Sequence, residues 1–386
     1  MKEDIYFIEE HKMLQQMVRK FAQNEVRPKA KELDEKGEFP YDLVKQMAEL
    51  GLMGIPWEEK YGGTGMDTLA LVIAIEELGK ECCSTAATLM AHTSLGTAPI
   101  VIFGTNKQKE KYLPDLASGK KIGAFGLTEP DAGSDAGNTK TKAVLEGDYF
   151  IVNGEKAFCT NAGVSSVLIF TAAIVENGNE NGISAFVVDS NTEGISFNIP
   201  EKKMGWCASD TRSIFFKDMK IPKSAILGNP KKGFKQFLET LTSGRITIAA
   251  LSIGTAQGAY NRALAYSQER EAFGKPINRF QGISFKLSDM ATQIEAARHL
   301  VYHAAWKKDQ GHSVIKEASM AKLFSSEMAM KVTTEAIQIF GGYGYIKEYD
   351  VERFFRDAKI LEIGEGTSEV QRIVISREIL KSLKDQ

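Results

Sequence analysis

The chain has 386 residues, of which 43% are apolar and 25% are charged, a composition typical of a globular protein with two or three domains. Its net charge of −2 gives no basic excess that would favour nucleic acid or an anionic membrane surface. No apolar run approaches the roughly 20 residues of a membrane span, and the first residues lack the apolar segment of a signal peptide.

Cysteine and histidine usage points to a reduced compartment and gives no reason to expect a metal. The four cysteines include the adjacent Cys82 and Cys83, which are a poor disulfide pair, and no CxxC is present. We therefore expect a cytoplasmic protein, in the bacterial cytosol or in the mitochondrial matrix for a mature eukaryotic form. The spacing of the five histidines predicts no metal site.

Residues 1–120 carry helical signals and predict an N-terminal all-α domain. Pro40 and Gly51 bracket one helix, with proline near its start and glycine past its end. Asp67 is placed to cap the apolar run that follows it, and Thr105 begins a capping-box pattern.

Residues 121–230 predict a small, barrel-like central β domain. Residues 149–152 and 155–158 are rich in strand-forming side chains, and Asn153-Gly154 between them predicts a hairpin with a type I′ turn. Four more short β-rich runs lie between turn signals, at residues 166–173, 182–189, 194–199 and 212–216.

Residues 231–386 return to a helical pattern and predict a C-terminal four-helix-bundle domain. Apolar residues recur at spacings of four and three over residues 283–304 and again over residues 321–339, which is the seam of helices packed nearly antiparallel. The predicted fold class is therefore α+β and multidomain: helical, then β, then helical.

The tail contains one conspicuous carboxylate, Glu365, between Gly364 and Gly366. Ser368 and Gln371 have capping-box spacing, so a helix is expected to start at Ser368. A carboxylate at such a loop–helix junction can be aimed into a cavity, as a catalytic base requires. The alternative is an ordinary solvated glutamate in a loop.

Four stretches, in this order, carry a resemblance to a known family: residues 125–135, residues 270–281, residues 338–344 and the Glu365 segment. Together they resemble the acyl-CoA dehydrogenase family, and the short-chain, butyryl-CoA dehydrogenase-like members in particular. The resemblance implies FAD bound between the β domain and the bundle, usually in a homotetramer. It further implies oxidation of an acyl-CoA to a trans-2-enoyl-CoA, with electrons passed to an electron-transferring flavoprotein.

The resemblance also implies which residues contact FAD, in two groups. One group lies in the β domain, apart from one residue in the loop before the last helix: Phe125, Leu127, Thr128, Gly133, Ser134, Phe158, Thr160 and Thr367. The other group reaches the FAD of a neighbouring subunit: Arg270, Phe273, Gln281, Gln338, Gly341 and Gly342. The structural alternatives are a surface turn at residues 133–134, an inward-facing strand residue at Phe158 and a helix-end cation at Arg270.

For the reaction itself, the resemblance implies that Glu365 removes the α-proton. Burial should raise the pKa of Glu365 and a following helix N-terminus should lower it, and we expect burial to dominate once substrate fills the pocket. In one subfamily the base comes from the position of Gly244, which here offers no carboxylate. The substrate-binding positions are Ser134, Ala91, Arg245, Gly364 and Gly366.

Two of these positions depart from common family members and predict an enlarged acyl pocket. Gly364 stands where many relatives have tyrosine, and Ala91 stands where a medium-chain relative has a larger acid. A branched, cyclic, aromatic or longer acyl group would then fit.

Other functions remain open at this point. The same machinery can run as an enoyl-CoA reductase or as an oxidase. A different alternative is a relative that keeps the fold for binding, for example with nucleic acid, although the balanced charge and the presence of Glu365 argue against it.

Overall fold

The computed structural model describes residues 5–383. Seven helices form the N-terminal part: α1 (Glu9–Phe21), α2 (Arg27–Lys36), α3 (Tyr41–Glu49), α4 (Thr68–Gly79), α5 (Cys83–Met90), α6 (Ala98–Phe103) and α7 (Asn106–Ala117). Both predicted caps are confirmed. The Asp67 side chain accepts a hydrogen bond from the backbone N–H of Ala70, and Thr105 and Gln108 form a capping box.

Two π-helical turns join these helices, and one of them lies in a long apolar stretch. The π-helical segment Ala91–Thr97 links α5 to α6, so that helical residues run continuously over Cys83–Phe103. By length and composition this stretch of 21 residues could cross a membrane, contrary to the expectation that no run comes close. Most of it, 78% of its most apolar window, is buried inside the protein, as is usual for a core helix.

Eight strands form the central sheet: β1 (Gly123–Gly126), β2 (Lys142–Glu146), β3 (Tyr149–Thr160), β4 (Val167–Glu176), β5 (Asn179–Asp189), β6 (Ile195–Phe197), β7 (Thr211–Pro222) and β8 (Ile226–Leu227). Their order is β6-β7-β3-β2-β4-β5-β8, and β1 pairs in parallel with β4. The four β-rich runs after residue 160 are thereby confirmed as strands.

The hairpin predicted at Asn153-Gly154 is wrong, because both residues lie inside β3. The pairing of β3 with β7 shifts register between Val152 and Gly154, which marks a β-bulge. Gly154 has φ 148°, and a Cβ there would lie 2.6 Å from the backbone of Thr141. Glycine therefore serves a bulge and a close backbone approach here, and the chain reverses between β2 and β3 instead.

The C-terminal part consists of five helices and a two-stranded ribbon: α8 (Gly233–Glu269), β9 (Glu271–Ala272), β10 (Lys275–Pro276), α9 (Gln281–Asp309), α10 (Ile315–Phe340), α11 (Val351–Ile363) and α12 (Ser368–Ser382). Both predicted apolar stripes face the core, on α9 and on α10. One residue of the second stripe, Phe324, is instead exposed.

The β sheet is anchored to helices on both sides. Gly96 in the π-helical segment approaches Gly123 of β1 so closely that a Cβ on either would lie within 3 Å of the other's backbone. On the other side, the backbone N–H of Trp206 donates to the Asp357 carboxylate of α11 at 2.6 Å. The sheet is thus held between the N-terminal helices and the bundle.

Candidate active site

The loop between α11 and α12 presents Glu365 with an unusual backbone. Glu365 has φ 55° and Gly366 has φ 93°, so the chain turns through the left-handed region at both residues. A glutamate with positive φ is uncommon and costs free energy, which marks a position held by its surroundings.

The cap of α12 differs from the predicted one. Thr367, and not Ser368, is the N-cap, and its hydroxyl accepts from the backbone N–H of Val370. The Gln371 side chain does not close a capping box, because it donates to the carbonyls of Glu365 at 3.2 Å and of Gly366 at 2.8 Å. The capping pattern in the sequence thus serves the Glu365 turn.

The Glu365 carboxylate is buried without a hydrogen bond. Both of its oxygens are inaccessible to solvent, and neither has a partner within residues 5–383. Burial raises the pKa of Glu365 to about 7, while the charges of Lys322 and Arg245 act in the opposite direction. Such a carboxyl group is poised to exchange a proton near neutral pH.

Helix α8 forms the wall against this carboxylate. A Cβ at Gly244 would lie 1.8 Å from Glu365 Oε2, so the carboxylate occupies the space that a side chain would take. The neighbouring Arg245 is buried, and its Nε has no partner among the described residues. Burial lowers the pKa of Arg245 and the charge of Glu365 raises it, which leaves Arg245 a cation beside the Glu365 carboxyl group.

Sequence reasoning missed Lys322, which lies on α10 below the same turn. Its side chain is fully buried, and its Nζ donates to the carbonyls of Glu362 at 3.1 Å and of Gly366 at 2.8 Å. Burial lowers the pKa of Lys322 to about 8, although the charges of Glu365 and Glu362 oppose this. A lysine among small residues on the buried face of α10 was the available signal.

The segments that contain the two positions expected to widen the acyl pocket both reach α8. Ala91 is buried in the π-helical segment, whose Ser94 hydroxyl bonds that of Thr247 at 3.2 Å. A Cβ on Gly364 would lie 3.5 Å from Ile248 Cδ1. The segment that contains Ala91 and the loop that contains Gly364 thus both contact the stretch of α8 that follows Arg245.

The segment after β1 is fastened to β3. The carbonyl of Thr128 accepts from the backbone N–H of Ala157 at 2.8 Å, and the carbonyl of Leu127 accepts from Lys156 Nζ at 3.3 Å. Lys156 also pairs with Glu129 at 2.6 Å, and both side chains are buried. Burial raises the pKa of Glu129, but Lys156 and surrounding donors hold it below its usual value.

This arrangement brings Leu127 and Thr128 next to Phe158. Phe158 is 68% exposed and has φ 55°, at a second register shift of β3 against β7. The alternative of an inward-facing strand residue is therefore wrong for Phe158. An exposed aromatic ring on a strained bulge is suited to stack on a planar ligand. Thr160, two residues on, is half-buried.

The remaining residues of the first group differ in their environment. The Phe125 ring stacks on Phe237 of α8 with ring centroids 4.2 Å apart, so it contributes to packing between sheet and bundle. Gly133 and Ser134 are exposed, and nothing lies within 4 Å of a Cβ built on Gly133, which leaves its backbone open to a ligand.

The second group lies around a separate groove of about 660 Å³ on the bundle. Arg270, Phe273, Gly341 and Gly342 line it, and all its lining residues fall within residues 266–346. Phe273 is 96% exposed with φ 51°, and the Arg270 guanidinium lies 5.7 Å from the ring centre of Tyr343. Two further predicted residues, Gln281 and Gln338, are exposed on the flanking helices.

Comparison with known proteins covers nearly the whole chain. Family models describing the N-terminal, middle and C-terminal domains of acyl-CoA dehydrogenase match residues 8–120, 124–219 and 231–380. A probable acyl-CoA dehydrogenase of Bacillus subtilis, YngJ, is 52% identical over 96% of this chain and 98% of its own length. A short-chain specific acyl-CoA dehydrogenase of Clostridium acetobutylicum is 48% identical over 98% of this chain and 100% of its own.

Similarity extends to a solved structure and to a relative named as a reductase. The structure of butyryl-CoA dehydrogenase from Megasphaera elsdenii matches with a TM-score of 0.95 and 44% identity, covering 98% of this chain and 100% of that one. The subunit CarC of the caffeyl-CoA reductase–Etf complex of Acetobacterium woodii is 44% identical over 98% of this chain and 100% of its own. The expected resemblance and fold class are confirmed: the chain belongs to the acyl-CoA dehydrogenase family of flavoprotein oxidoreductases.

Proposed function

We propose that the protein is an FAD-dependent acyl-CoA dehydrogenase in which Glu365 removes the α-proton of an acyl-CoA thioester. The observation that carries this proposal is the buried Glu365 carboxylate without a hydrogen-bond partner within residues 5–383, whose pKa is raised to about 7. A group with this pKa is largely ionised at slightly alkaline pH and still accepts a proton readily.

The turn that carries Glu365 supports the rest of the reaction. As the proton leaves, negative charge develops on the thioester oxygen, and a backbone N–H aimed at that oxygen stabilises it. The family resemblance implies that the backbone N–H of Glu365 has this role, and a ribose hydroxyl of the cofactor would supply a second donor. Arg245 adds a fixed positive charge near the carboxylate. When bound, the flavin accepts the hydride from Cβ.

The residues of the first group fit a flavin. Phe158 offers an exposed ring for stacking, and the anchored Leu127–Thr128 backbone next to it can bond a polar ring edge. The open backbone at Gly133 and the hydroxyl of Ser134 suit a pyrophosphate, and Thr367 lies at the N-terminus of α12.

We infer that Arg270, Phe273, Gln281, Gln338, Gly341 and Gly342 hold the FAD of a neighbouring subunit. The groove that they surround is lined by the bundle alone, and Arg270 is the kind of cation that pairs with a pyrophosphate. A complete site then requires at least two copies of the chain, and we propose the homotetramer that the family resemblance implies.

The acyl group is inferred from what the walls of the pocket lack. Gly364 and the buried Ala91 are small, and a larger residue at either position would take up volume that the resemblance assigns to the acyl group. We therefore propose a branched, cyclic, aromatic or longer acyl group in place of a short straight chain.

The reverse reaction is the second candidate, because the Acetobacterium woodii relative is named as a reductase subunit in a complex with Etf. A carboxyl group with a pKa of about 7 can return a proton to the α-carbon as well as remove it. In either direction we propose an electron-transferring flavoprotein as the redox partner.

Anaerobic titration of the purified protein with acyl-CoAs, followed by flavin absorbance, tests these proposals. The panel runs from butyryl to palmitoyl and includes isobutyryl, cyclohexanecarbonyl and phenylpropionyl thioesters. We expect one member to bleach the oxidised flavin and Glu365→Gln to abolish the bleaching. Flavin that is bleached by none of them, yet is reoxidised after chemical reduction by a matching enoyl-CoA, would favour the reductase. A protein without flavin would contradict both.

A further inference from the structure

We propose that Lys322 is a positioning residue for the Glu365 base: together with Gln371 it holds the left-handed turn that presents the carboxylate, and its charge balances that carboxylate inside the protein. This inference rests on the proposed role of Glu365. It assigns a function to a buried cation that lies outside the residues expected to touch substrate or flavin.

The contacts of Lys322 are made with the backbone on both sides of the base. Its Nζ donates to the Glu362 carbonyl in the last turn of α11 and to the Gly366 carbonyl just before α12. Gln371, from α12, donates to the Gly366 carbonyl as well and also to that of Glu365. Three of these four hydrogen bonds end on residues 365 and 366, which both have positive φ.

This convergence explains how a strained turn is maintained. A glutamate at φ 55° relaxes to an ordinary conformation unless the surroundings fix it. The Glu365 side chain makes no hydrogen bond within the described chain that could do so. The hydrogen bonds that α10 and α12 donate to these backbone carbonyls therefore fix the direction of the carboxylate.

The charge of Lys322 has a second effect. A buried ammonium group is unfavourable unless it is compensated, and Lys322 bonds only carbonyls within the described residues. The charged groups around the turn are Arg245 from α8, Glu362 from α11, Glu369 from α12 and Glu365 itself. Lys322 is thus a counter-charge that favours the ionised form of the base.

Three substitutions separate the holding of the turn from the effect of the charge. Lys322→Met removes both, whereas Gln371→Met removes neutral donors only, and Lys322→Arg retains the charge. The rate of flavin reduction by the best acyl-CoA is measured under single-turnover conditions from pH 5.5 to 9, together with FAD content and melting temperature. We expect about 100-fold slower reduction in Lys322→Met, since displacement of a catalytic group by about 1 Å has an effect of this size.

The pH profiles distinguish the proposed role of Lys322 from a general structural role. Without the cation the base is harder to ionise, so the acidic limb of Lys322→Met should move to higher pH. In Gln371→Met the rate should fall while the limb stays in place, and in Lys322→Arg the limb should also stay. A variant that is merely misfolded should bind less FAD and melt at a lower temperature. The acidic limb of its remaining active fraction should stay at the same pH.

A direct measurement of the carboxyl group keeps the inference testable without turnover. The infrared carboxyl band of Glu365, identified by its loss in Glu365→Gln, is titrated in the wild type and in Lys322→Met. We expect its midpoint to be higher in the variant. An unchanged midpoint would overturn the role of Lys322 as a counter-charge, and an unchanged rate of flavin reduction would overturn its role in positioning the base. If no acyl-CoA reduces the wild-type flavin, the proposed function fails, and the infrared titration still decides on Lys322.

Discussion

The Glu365 carboxylate fills the space in which a side chain at Gly244 would lie: a Cβ on Gly244 would be 1.8 Å from Oε2 of the glutamate. Because α8 has glycine at this position, the carboxylate can lie directly against the helix. A base placed at position 244 and a base placed at position 365 would compete for the same volume. The geometry supports Glu365 as the base in this chain.

Substitution of Gly244 by alanine should inactivate the enzyme while leaving it folded. The new methyl group displaces the Glu365 carboxylate, and a shift of about 1 Å costs on the order of 100-fold in rate. We expect that loss in the kcat for acyl-CoA-dependent flavin reduction, with FAD still bound.

Gly282→Ala is the matched control for this change. Gly282 is also a helical glycine, but it is exposed on α9 and nothing lies within 4 Å of a Cβ there. Alanine should leave activity unchanged and stabilise α9 slightly. Equal activity of Gly244→Ala and Gly282→Ala would show that the carboxylate does not act where the structure places it.

The pH dependence of kcat/KM should show an acidic limb with a midpoint near pH 7. Below that pH Glu365 is protonated and cannot accept the α-proton, because burial raises its pKa to about 7. The rate of flavin reduction in a series of buffers of constant ionic strength gives the midpoint. A limb near pH 4.5, the ordinary value for glutamate, would mean that the carboxylate is solvated.

Glu365→Gln should stabilise the protein at alkaline pH and much less in acid. The folded pKa of about 7 exceeds the ordinary value of 4.5, so the stability present below pH 4.5 is lost as pH rises to 7. The full penalty is roughly 3 kcal/mol above pH 7 as an upper bound. Melting temperatures of wild type and variant should therefore diverge from pH 5 to pH 8. Parallel curves would contradict the burial of an ionisable Glu365.

Gly364→Tyr should narrow the acyl specificity. A Cβ at this position meets Ile248 Cδ1 at 3.5 Å, an ordinary contact, so a side chain at position 364 starts beside α8 and adds bulk there. We expect kcat/KM for branched or aromatic thioesters to fall by 10-fold or more relative to butyryl-CoA, about the effect of losing 1.4 kcal/mol. Gly364→Ala controls for the loss of backbone freedom. An unchanged ratio would place the acyl group elsewhere.

Lys156→Met should strongly destabilise the protein and release the flavin. The change leaves Glu129 buried and unpaired and frees the Leu127 carbonyl, at a cost of about 3–5 kcal/mol. The control is Lys142→Met, which breaks the Lys142–Glu180 pair, with side chains 52% and 59% exposed, and should cost less than about 1 kcal/mol. Denaturant unfolding and flavin fluorescence measure both effects. Similar losses in the two variants would contradict the anchoring role of the buried pair.

Structure is predicted correctly from the sequence where a residue acts on its neighbours in the chain. Asp67 and Thr105 cap their helices as predicted, since a cap depends only on the next three residues. Gly154 was misread as a turn because the need for glycine comes from Thr141, across the sheet. The domain boundaries of the sequence interpretation stay a prediction.

The candidate site shows the same division. Glu365 stood out because its flanking glycines are adjacent in sequence. Lys322 was missed because it lies 43 positions away and reaches the Glu365 loop only after α10 and α11 have packed. Gln371 was noticed for its spacing but given the wrong partner, because the free carbonyls of a left-handed turn are not visible in the sequence.

The left-handed turn at Glu365 is closed by donors from α10 and α12, so its shape exists only once those helices have assembled. A nascent or partly unfolded chain therefore contains the glutamate but does not hold it in a reactive orientation. On the proposed role of Glu365, catalytic competence would arrive together with the native bundle, and damage that loosens the helix packing would abolish the reaction before the chain unfolds. Activity per bound flavin would accordingly report the integrity of the bundle more sensitively than flavin content does.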